Sequence, residues 1–159
     1  MKVIIGISDM RIGTKADDVL ITYSLGSCIG VVLWDPDAKV GALLHYMLPD
    51  SGIDASRAAT KPFMFADKGV PRMFKEIYKH GAKKSRMKVY VVGGSQVMDE
   101  AGMFNIGKRN QMIIRKMFMK NNVMITREDV GGNVNRTISL EVGTGLVRMK
   151  VSGKGEVIL

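Results

Sequence analysis

Short apolar runs bounded by turn-forming residues dominate both ends of this 159-residue chain. Short runs rich in Val and Ile are typical of buried β-strands, whereas helices need longer periodic segments. Two neighbouring runs alternate strictly between apolar and polar residues, and Gly143-Thr144-Gly145 between them predicts a hairpin turn. The candidate strands are 2–8, 18–23, 28–34, 39–46, 87–92, 123–130, 134–142, 145–151 and 155–159.

Two segments have the period of an amphipathic helix. The first begins near residue 70, with Pro71 expected in its first turn and Gly81 as its C-terminal stop. The second runs from about 106 to 121. We therefore expect a single α+β domain over 1–159: a layered sandwich of mixed, mostly antiparallel sheet with two main helices packed outside.

The segment between the two Pro residues at 49 and 62 has no periodicity and many small or polar side chains. It is predicted to be a long loop that is either functional or loosely ordered. Its start soon after His45 favours a functional role, such as control of access to a nearby site.

The formal net charge is +9, from 24 Lys+Arg against 15 Asp+Glu. Such a balance suggests an acidic partner. Aromatic residues make up only 6% of the chain and are not interleaved with the basic clusters, which disfavours a base-stacking nucleic-acid platform. No apolar run approaches the roughly 20 residues of a membrane helix, so membrane insertion is not expected. One cysteine and no signal-like N-terminus predict a cytoplasmic protein.

Cys28 is the only cysteine, so it cannot form an internal disulfide and serves either packing or chemistry. A buried, inert thiol is the plain structural interpretation. However, Gly26-Ser27 before it allows a tight turn, which can present the thiol and aim backbone N–H groups at a developing oxyanion.

His45 is one of two histidines and follows Cys28 across the turn Asp35-Pro36-Asp37-Ala38. A symmetric hairpin about that turn places Cys28 directly opposite His45, with Cβ atoms about 4.5–5.5 Å apart. A loop one residue longer would place Tyr46 there instead. A Cys next to a His is the minimal unit of thiol nucleophilic catalysis, although a core imidazole is the alternative for His45.

A thiol–imidazole pair usually needs a third group that orients the imidazole. Thr22, Asp50 and Asp67 are the candidates, and spacing does not decide between them. His80 is expected at the C-terminal end of the first helix, where it complements the helix dipole. Two distant histidines and one cysteine do not predict a metal site, and no cofactor is expected.

Several longer motifs occur in a fixed order along nearly the whole chain. They are Thr22-Tyr23-Ser24-Leu25-Gly26-Ser27-Cys28, Asp35-Pro36, Gly41-Ala42-Leu43-Leu44-His45-Tyr46-Met47-Leu48-Pro49, Gly93-Gly94-Ser95, Asn105-Ile106-Gly107-Lys108-Arg109-Asn110, and Asp129-Val130-Gly131-Gly132-Asn133 followed by Arg136 and Thr144-Gly145. In these motifs the chain resembles the chemoreceptor glutamine deamidase family, CheD.

The resemblance implies a cytoplasmic hydrolase that converts glutamines of methyl-accepting chemotaxis receptors to glutamates and releases ammonia. On that reading Cys28 is the nucleophile, His45 the general base and acid, and Thr22 the orienting hydroxyl. It also implies a layered α/β fold. Some members bind a CheC-type phosphatase, and the acidic cytoplasmic helices of the receptors are the expected substrate surface.

Two other hypotheses compete with the hydrolase. One is a non-catalytic regulator that binds and activates a CheC-type phosphatase through the same face. The other is a small basic nucleic-acid-binding domain, which steep salt dependence of binding to random duplex DNA would support.

Overall fold

The computed structural model describes residues 1–96 and 105–159. They form two five-stranded sheets and three α-helices. The strands are β1 (Lys2–Ile4), β2 (Asp9–Gly13), β3 (Val19–Leu25), β4 (Ile29–Asp35), β5 (Val40–Tyr46), β6 (Lys88–Gly93), β7 (Arg127–Val130), β8 (Arg136–Glu141), β9 (Val147–Val151) and β10 (Glu156–Ile158). The helices are α1 (Ala55–Thr60), α2 (Ala66–Tyr78) and α3 (Ile106–Lys120).

The two sheets have the strand orders β1-β3-β8-β9-β10 and β2-β5-β4-β6-β7. We call them the first sheet and the second sheet. Pairing between the described strands is antiparallel except for β1 with β3 and β6 with β7, which are parallel. The expected mixed, mostly antiparallel sheet is confirmed.

The apolar side chains form two main core layers, one on each face of the second sheet. Between the sheets, residues such as Val32 and Leu43 pack against Ile138 and Leu140 of the first sheet. On the other face, β4, β5 and β6 pack against α2 and α3. The fold is therefore the expected α+β sandwich, with its two main helices outside.

Two strand predictions were wrong. The chain turns at residues 6–8, so the predicted strand 2–8 is shorter and a separate β2 follows, pairing with β5 from Asp9↔His45 onward. Only Arg127–Val130 of the predicted strand 123–130 pairs with β6. β2 does alternate between polar and apolar residues, but the run is only five residues long, with two apolar residues, Met10 and Ile12, that are partly buried at the edge of the sheet.

The first helix begins earlier than predicted. α2 starts at Ala66, so Pro71 is inside the helix and beyond its first turn. Polar residues hide this extension in the sequence. Gly69 is buried within this extension. A Cβ there would lie 3.1 Å from the Cα of Phe63, so the helix can pack this closely only because the residue has no side chain. His80 follows the end of α2, as expected.

The predicted loop at 49–62 is wrong in its local structure. It contains a 3-10 turn at Ser51–Ile53 and α1, and another 3-10 turn starts at Pro62. Asp50 and Asp54 cap these turns by accepting from the backbone N–H groups of Gly52 and Arg57. Periodicity missed α1 because it buries only Ala58. None of the helices in the described ranges is long and apolar enough to span a membrane.

Candidate active site

The site lies at the open end of the β4–β5 hairpin, on the face that looks toward the first sheet. Side chains alternate across a strand, and Ile29 and Val31 of β4 face the helices while Val32 faces the first sheet. His45 shares that inner face, since Leu43 of the same strand does. Cys28 immediately precedes β4 and packs against the inter-sheet core.

The predicted register of this hairpin was wrong. His45 lies opposite Gly30, and Asp35 pairs with Val40, so the four-residue loop spans 36–39 and is centred one residue later than predicted, which shifts every partner by two residues. Asp35 accepts from the N–H groups of Asp37 and Ala38, and Lys39 adopts a positive φ of 55°, which together form this displaced turn. A shift of two residues preserves the face of every side chain. Cys28 and His45 therefore stay on the same face, diagonal to each other rather than directly opposed.

Thr22 contacts His45 from the facing sheet, not from a neighbouring strand of the same sheet. Its Oγ1 lies 2.7 Å from His45 Nδ1 and 2.8 Å from the Ile5 carbonyl oxygen. A hydroxyl has one proton. Because the Ile5 carbonyl can only accept, Thr22 donates to it and accepts from Nδ1–H. This arrangement leaves Nε2 of His45 without a proton, as a general base requires.

The other two orienting candidates are bonded elsewhere. Asp50 Oδ1 accepts from Gly52 N at 2.7 Å, and Asp67 binds both the N–H and the hydroxyl of Ser51. Thr22 is thus the candidate that the structure brings to the imidazole.

Burial keeps both members of the Cys–His pair neutral. It lowers the pKa of His45 to about 4. It raises the pKa of Cys28 to about 11, against the opposing effect of the residue's own backbone N–H. Nε2 of His45 is buried and has no hydrogen-bond partner among the described residues. From the adjacent hairpin strands we expect the Cys28 sulfur within about 4 Å of this nitrogen in the resting site, and this distance stays a prediction.

The loop that leads into Cys28 is held by its carbonyl groups. Ser95 N donates to the Gly26 oxygen at 2.8 Å, and Gly94 N donates to the Cys28 oxygen at 2.9 Å. Between them, Asn110 Nδ2 donates to the Ser27 oxygen at 2.9 Å. The N–H groups of these three loop residues have no acceptor in the described part of the chain. The assignment of Gly26 and Ser27 to the oxyanion site stays a prediction.

Two close backbone approaches explain the glycines of the supporting motifs. Gly93 has a φ of 112°, and a Cβ there would lie 2.2 Å from the Cys28 oxygen. A Cβ on Gly107, at the start of α3, would lie 2.1 Å from the Ser95 oxygen. A side chain at Gly93 would displace the backbone of Cys28, and one at Gly107 would displace Ser95, which donates to the Gly26 oxygen.

A buried arginine, Arg136, binds Ser95 and the neighbouring 129–131 segment. Arg136 is 5% exposed, and its guanidinium binds Asp129 at 2.8 Å, Ser95 Oγ at 3.0 Å and the Gly131 oxygen at 2.9 Å. Reasoning from spacing gave Arg136 no role, and only its place in a motif pointed to it. No cluster of three or more His, Cys, Asp or Glu side chains suited to a metal occurs in the described ranges.

Comparison with known proteins agrees with the motifs. Residues 47–151 match the family model described as CheD, chemotactic sensory transduction. A Syntrophus aciditrophicus protein named probable chemoreceptor glutamine deamidase CheD 1 is 54% identical over 95% of this chain and 94% of its own length. The chain belongs to the CheD family.

Two further relatives extend this similarity. The Solibacter usitatus protein named probable chemoreceptor glutamine deamidase CheD is 42% identical over 96% of this chain and 90% of its own length. The Thermotoga maritima chemoreceptor glutamine deamidase CheD is 38% identical over 98% and 96%. The family-model match begins after Cys28 and His45, so the roles of these two residues are argued from their geometry.

Proposed function

We propose that this CheD-family protein is a thiol-dependent hydrolase that converts chemoreceptor glutamine side chains to glutamate. The observation that carries the proposal is the Thr22–His45 contact beside the only cysteine. It holds an unprotonated Nε2 on the same sheet face as Cys28. The names of the relatives supply the substrate class.

In the first step the Cys28 sulfur attacks the side-chain amide carbon of glutamine, and its proton passes to His45 Nε2. The resting thiol and imidazole are both neutral, because burial separates their pKa values to about 11 and about 4. Proton transfer therefore accompanies attack, as in general base catalysis, rather than preceding it as a stable ion pair. The amide oxygen becomes an oxyanion, which backbone N–H groups of the 26–28 loop stabilise.

In the second step the tetrahedral intermediate collapses. The C–N bond breaks, Nε2–H gives its proton to the leaving nitrogen, and ammonia departs, leaving a thioester on Cys28. Water then attacks the thioester and gives a proton to Nε2, and the C–S bond breaks to release glutamate and restore the thiol. Two moderate barriers replace the direct hydrolysis of a poor electrophile.

The basic surface supports docking of an acidic substrate. Lys108 and Arg109 are exposed at the start of α3, two residues and one residue before Asn110, which donates to the loop that precedes Cys28. A positive surface next to the site attracts the acidic cytoplasmic helices expected of the receptors. A CheC-type phosphatase is the second expected partner of this face.

The test is mass spectrometry of a chemoreceptor cytoplasmic domain incubated with the protein. Conversion of an amide to an acid adds about 1 Da at a specific glutamine and releases one ammonia, since NH₂ is replaced by OH. Cys28→Ser is nearly isosteric and should lower the rate at least about 10³-fold while keeping the fold. Wild-type turnover by Cys28→Ser contradicts the covalent mechanism, and a wild-type protein that activates a phosphatase without any mass shift supports the regulator instead.

A further inference from the structure

Asn110 is a buried polar residue in α3 that the mechanism above does not use. Its side chain is 0% exposed, and its Nδ2 donates to two carbonyl oxygens, those of Ser27 at 2.9 Å and Met47 at 2.8 Å. Asn is a poor helix former and costly to bury, so its presence here needs a reason.

The two carbonyls lie just beyond the open ends of the two hairpin strands next to the catalytic pair. Ser27 precedes Cys28, which immediately precedes β4, and Met47 follows the last residue of β5. The paired ladder of the hairpin ends at Ile29↔Tyr46. Asn110 therefore joins the strands immediately beyond the point where their own pairing stops.

The orientation of this amide is fixed by its partners. A flipped side chain would point Oδ1 at two carbonyl oxygens, which cannot donate. The Tyr46 hydroxyl also donates to the Asn110 backbone oxygen at 2.6 Å, which anchors the helix at this residue. Oδ1 is left buried without a partner in the described ranges, so the two donated hydrogen bonds are retained despite that cost.

The hydrogen bond from Asn110 to the Ser27 oxygen also fixes the direction of the Cys28 N–H, which belongs to the same peptide group. Peptide bonds are planar and, in the described residues, none is cis, so the Ser27 C=O and the Cys28 N–H point in opposite directions. Because the Ser27 oxygen points to Asn110 of α3, the Cys28 N–H points away from Asn110. α3 packs on the outer face of the second sheet, whereas Cys28 packs against the inter-sheet core, and this N–H has no acceptor in the described part of the chain.

We propose that Asn110 is a positioning residue that aims the Cys28 backbone N–H at the oxyanion formed on the substrate amide. The inference rests on the proposed function for its substrate, and it adds an identified oxyanion donor and the residue that orients it. The opposing effect of the same N–H on the thiol pKa is consistent with its lying near the sulfur.

The test uses Asn110→Asp and Asn110→Ala in the full chain. Asp is isosteric but presents an oxygen to both carbonyls, and Ala removes the donor. Asn121→Asp is the matched control, because Asn121 Nδ2 also donates to a helix carbonyl, that of Met117, at the far end of α3. The probe is a short peptide carrying glutamate γ-semialdehyde, whose carbonyl carbon bonds to the Cys28 sulfur while the thiol proton goes to the aldehyde oxygen.

Three quantities are measured: ammonia release from the receptor domain, affinity for the aldehyde, and the rate of Cys28 alkylation by iodoacetamide, which forms no oxyanion. Both Asn110 variants should lower kcat about 10- to 100-fold, with a smaller change in KM. They should lower the affinity for the aldehyde by a similar factor. Their alkylation rates should stay within about threefold of wild type. The control should change none of the three.

Parallel loss of alkylation and turnover would mean that Asn110 only supports the fold and would overturn the inference. So would unchanged kcat and aldehyde affinity. If neither variant folds, the wild-type protein decides by NMR: the Cys28 amide proton should move downfield when the aldehyde adduct forms, and an unmoved signal overturns the inference. The protein could bind the aldehyde in a manner that depends on Asn110 and still release no ammonia from the receptor. That result would contradict the proposed substrate but not the role of Asn110.

Discussion

The two ends of the β4–β5 hairpin treat buried polar groups in opposite ways. At the turn end, Asp35 is 0% exposed and accepts from Arg86 at 2.9 Å and from three backbone N–H groups, those of Asp37, Ala38 and Lys83. Burial alone would raise its pKa, but these donors outweigh it and lower the value to about 2.

At the open end the burial of His45, which is 1% exposed, is not offset by hydrogen bonds to its Nε2. His45 has an unpartnered Nε2, and burial moves the pKa values of His45 and Cys28 toward their neutral forms. The comparison shows that hydrogen-bonding and charged partners, rather than burial alone, decide whether a buried group is charged. One end of the hairpin uses its polar groups for stability, and the other keeps them available for chemistry.

Asp35→Asn should destabilise the protein at the turn end of the hairpin. The amide cannot accept from all four groups, and it removes the buried carboxylate that pairs with Arg86, so the free energy of unfolding should fall by about 2–4 kcal/mol. Urea denaturation measures this. Asp37→Asn is the control, because Asp37 is 69% exposed and 3.6 Å from the same guanidinium, and it should change stability by less than about 0.5 kcal/mol. Equal effects at the two positions would contradict the assigned roles.

The open end should make stability depend on pH between about 6.5 and 4. In this window the unfolded chain protonates His45 while the folded protein, with a pKa of about 4, does not. The unfolded state then binds more protons, so the free energy of unfolding falls as the pH falls, by up to roughly 3 kcal/mol, and levels off below pH 4. The difference between wild type and His45→Gln in urea denaturation isolates this effect from other groups. A difference that does not change with pH would show that His45 titrates normally.

Thr22→Val should reduce turnover without removing the thiol–imidazole pair. The change removes the hydroxyl that accepts from Nδ1–H, so the imidazole loses its fixed tautomer and orientation, and kcat should fall about 10- to 100-fold. Thr22→Ser keeps the hydroxyl and should retain most activity. If Val and Ser variants behave alike, the side chain of Thr22 only fills space.

Reversing charge at the docking surface should have the smallest effect. Lys108→Glu with Arg109→Glu should slow association with the receptor domain several-fold at low salt, and the turnover of bound substrate should change little. Arg115 is a poorer target than its sequence suggests, because it is paired with Glu128 at 2.7 Å. Lys120→Glu at the other end of α3, combined with Lys75→Glu on α2, changes the net charge by the same amount and is the control. Equal slowing by the control would mean that the effect is not local to the site.

The sequence predicted the layers and the faces of this fold better than its register. The shared face of Cys28 and His45 was inferred from a hairpin about the Asp35-Pro36-Asp37-Ala38 turn, and it holds because the register differs by an even number of residues. The actual register depends on Asp35 capping a turn centred one residue later and on the positive φ of Lys39, which no period reveals. The two-residue error changed the neighbour of His45 to Gly30 but not its face.

Residue spacing could not predict the contacts that hold the site residues in place. Thr22 meets His45 across two sheets, and Asn110 meets the nucleophile loop through a backbone oxygen. Such contacts depend on how layers pack, which leaves no periodic trace. Motifs marked these residues as a set, and the structure gives each a physical task.

The span of the site along the chain has a consequence for synthesis. Its contacts join the Ile5 carbonyl, the two strands of the hairpin, α3 and Arg136 of β8, so it is built almost entirely from pairs distant in sequence. Contacts of this kind form late in folding, since the intervening chain must first be ordered. A nascent chain that has not yet released residue 136 from the ribosome carries the thiol but not the assembled site. Deamidase activity, where it is measured, therefore reports completed folding rather than the mere presence of Cys28.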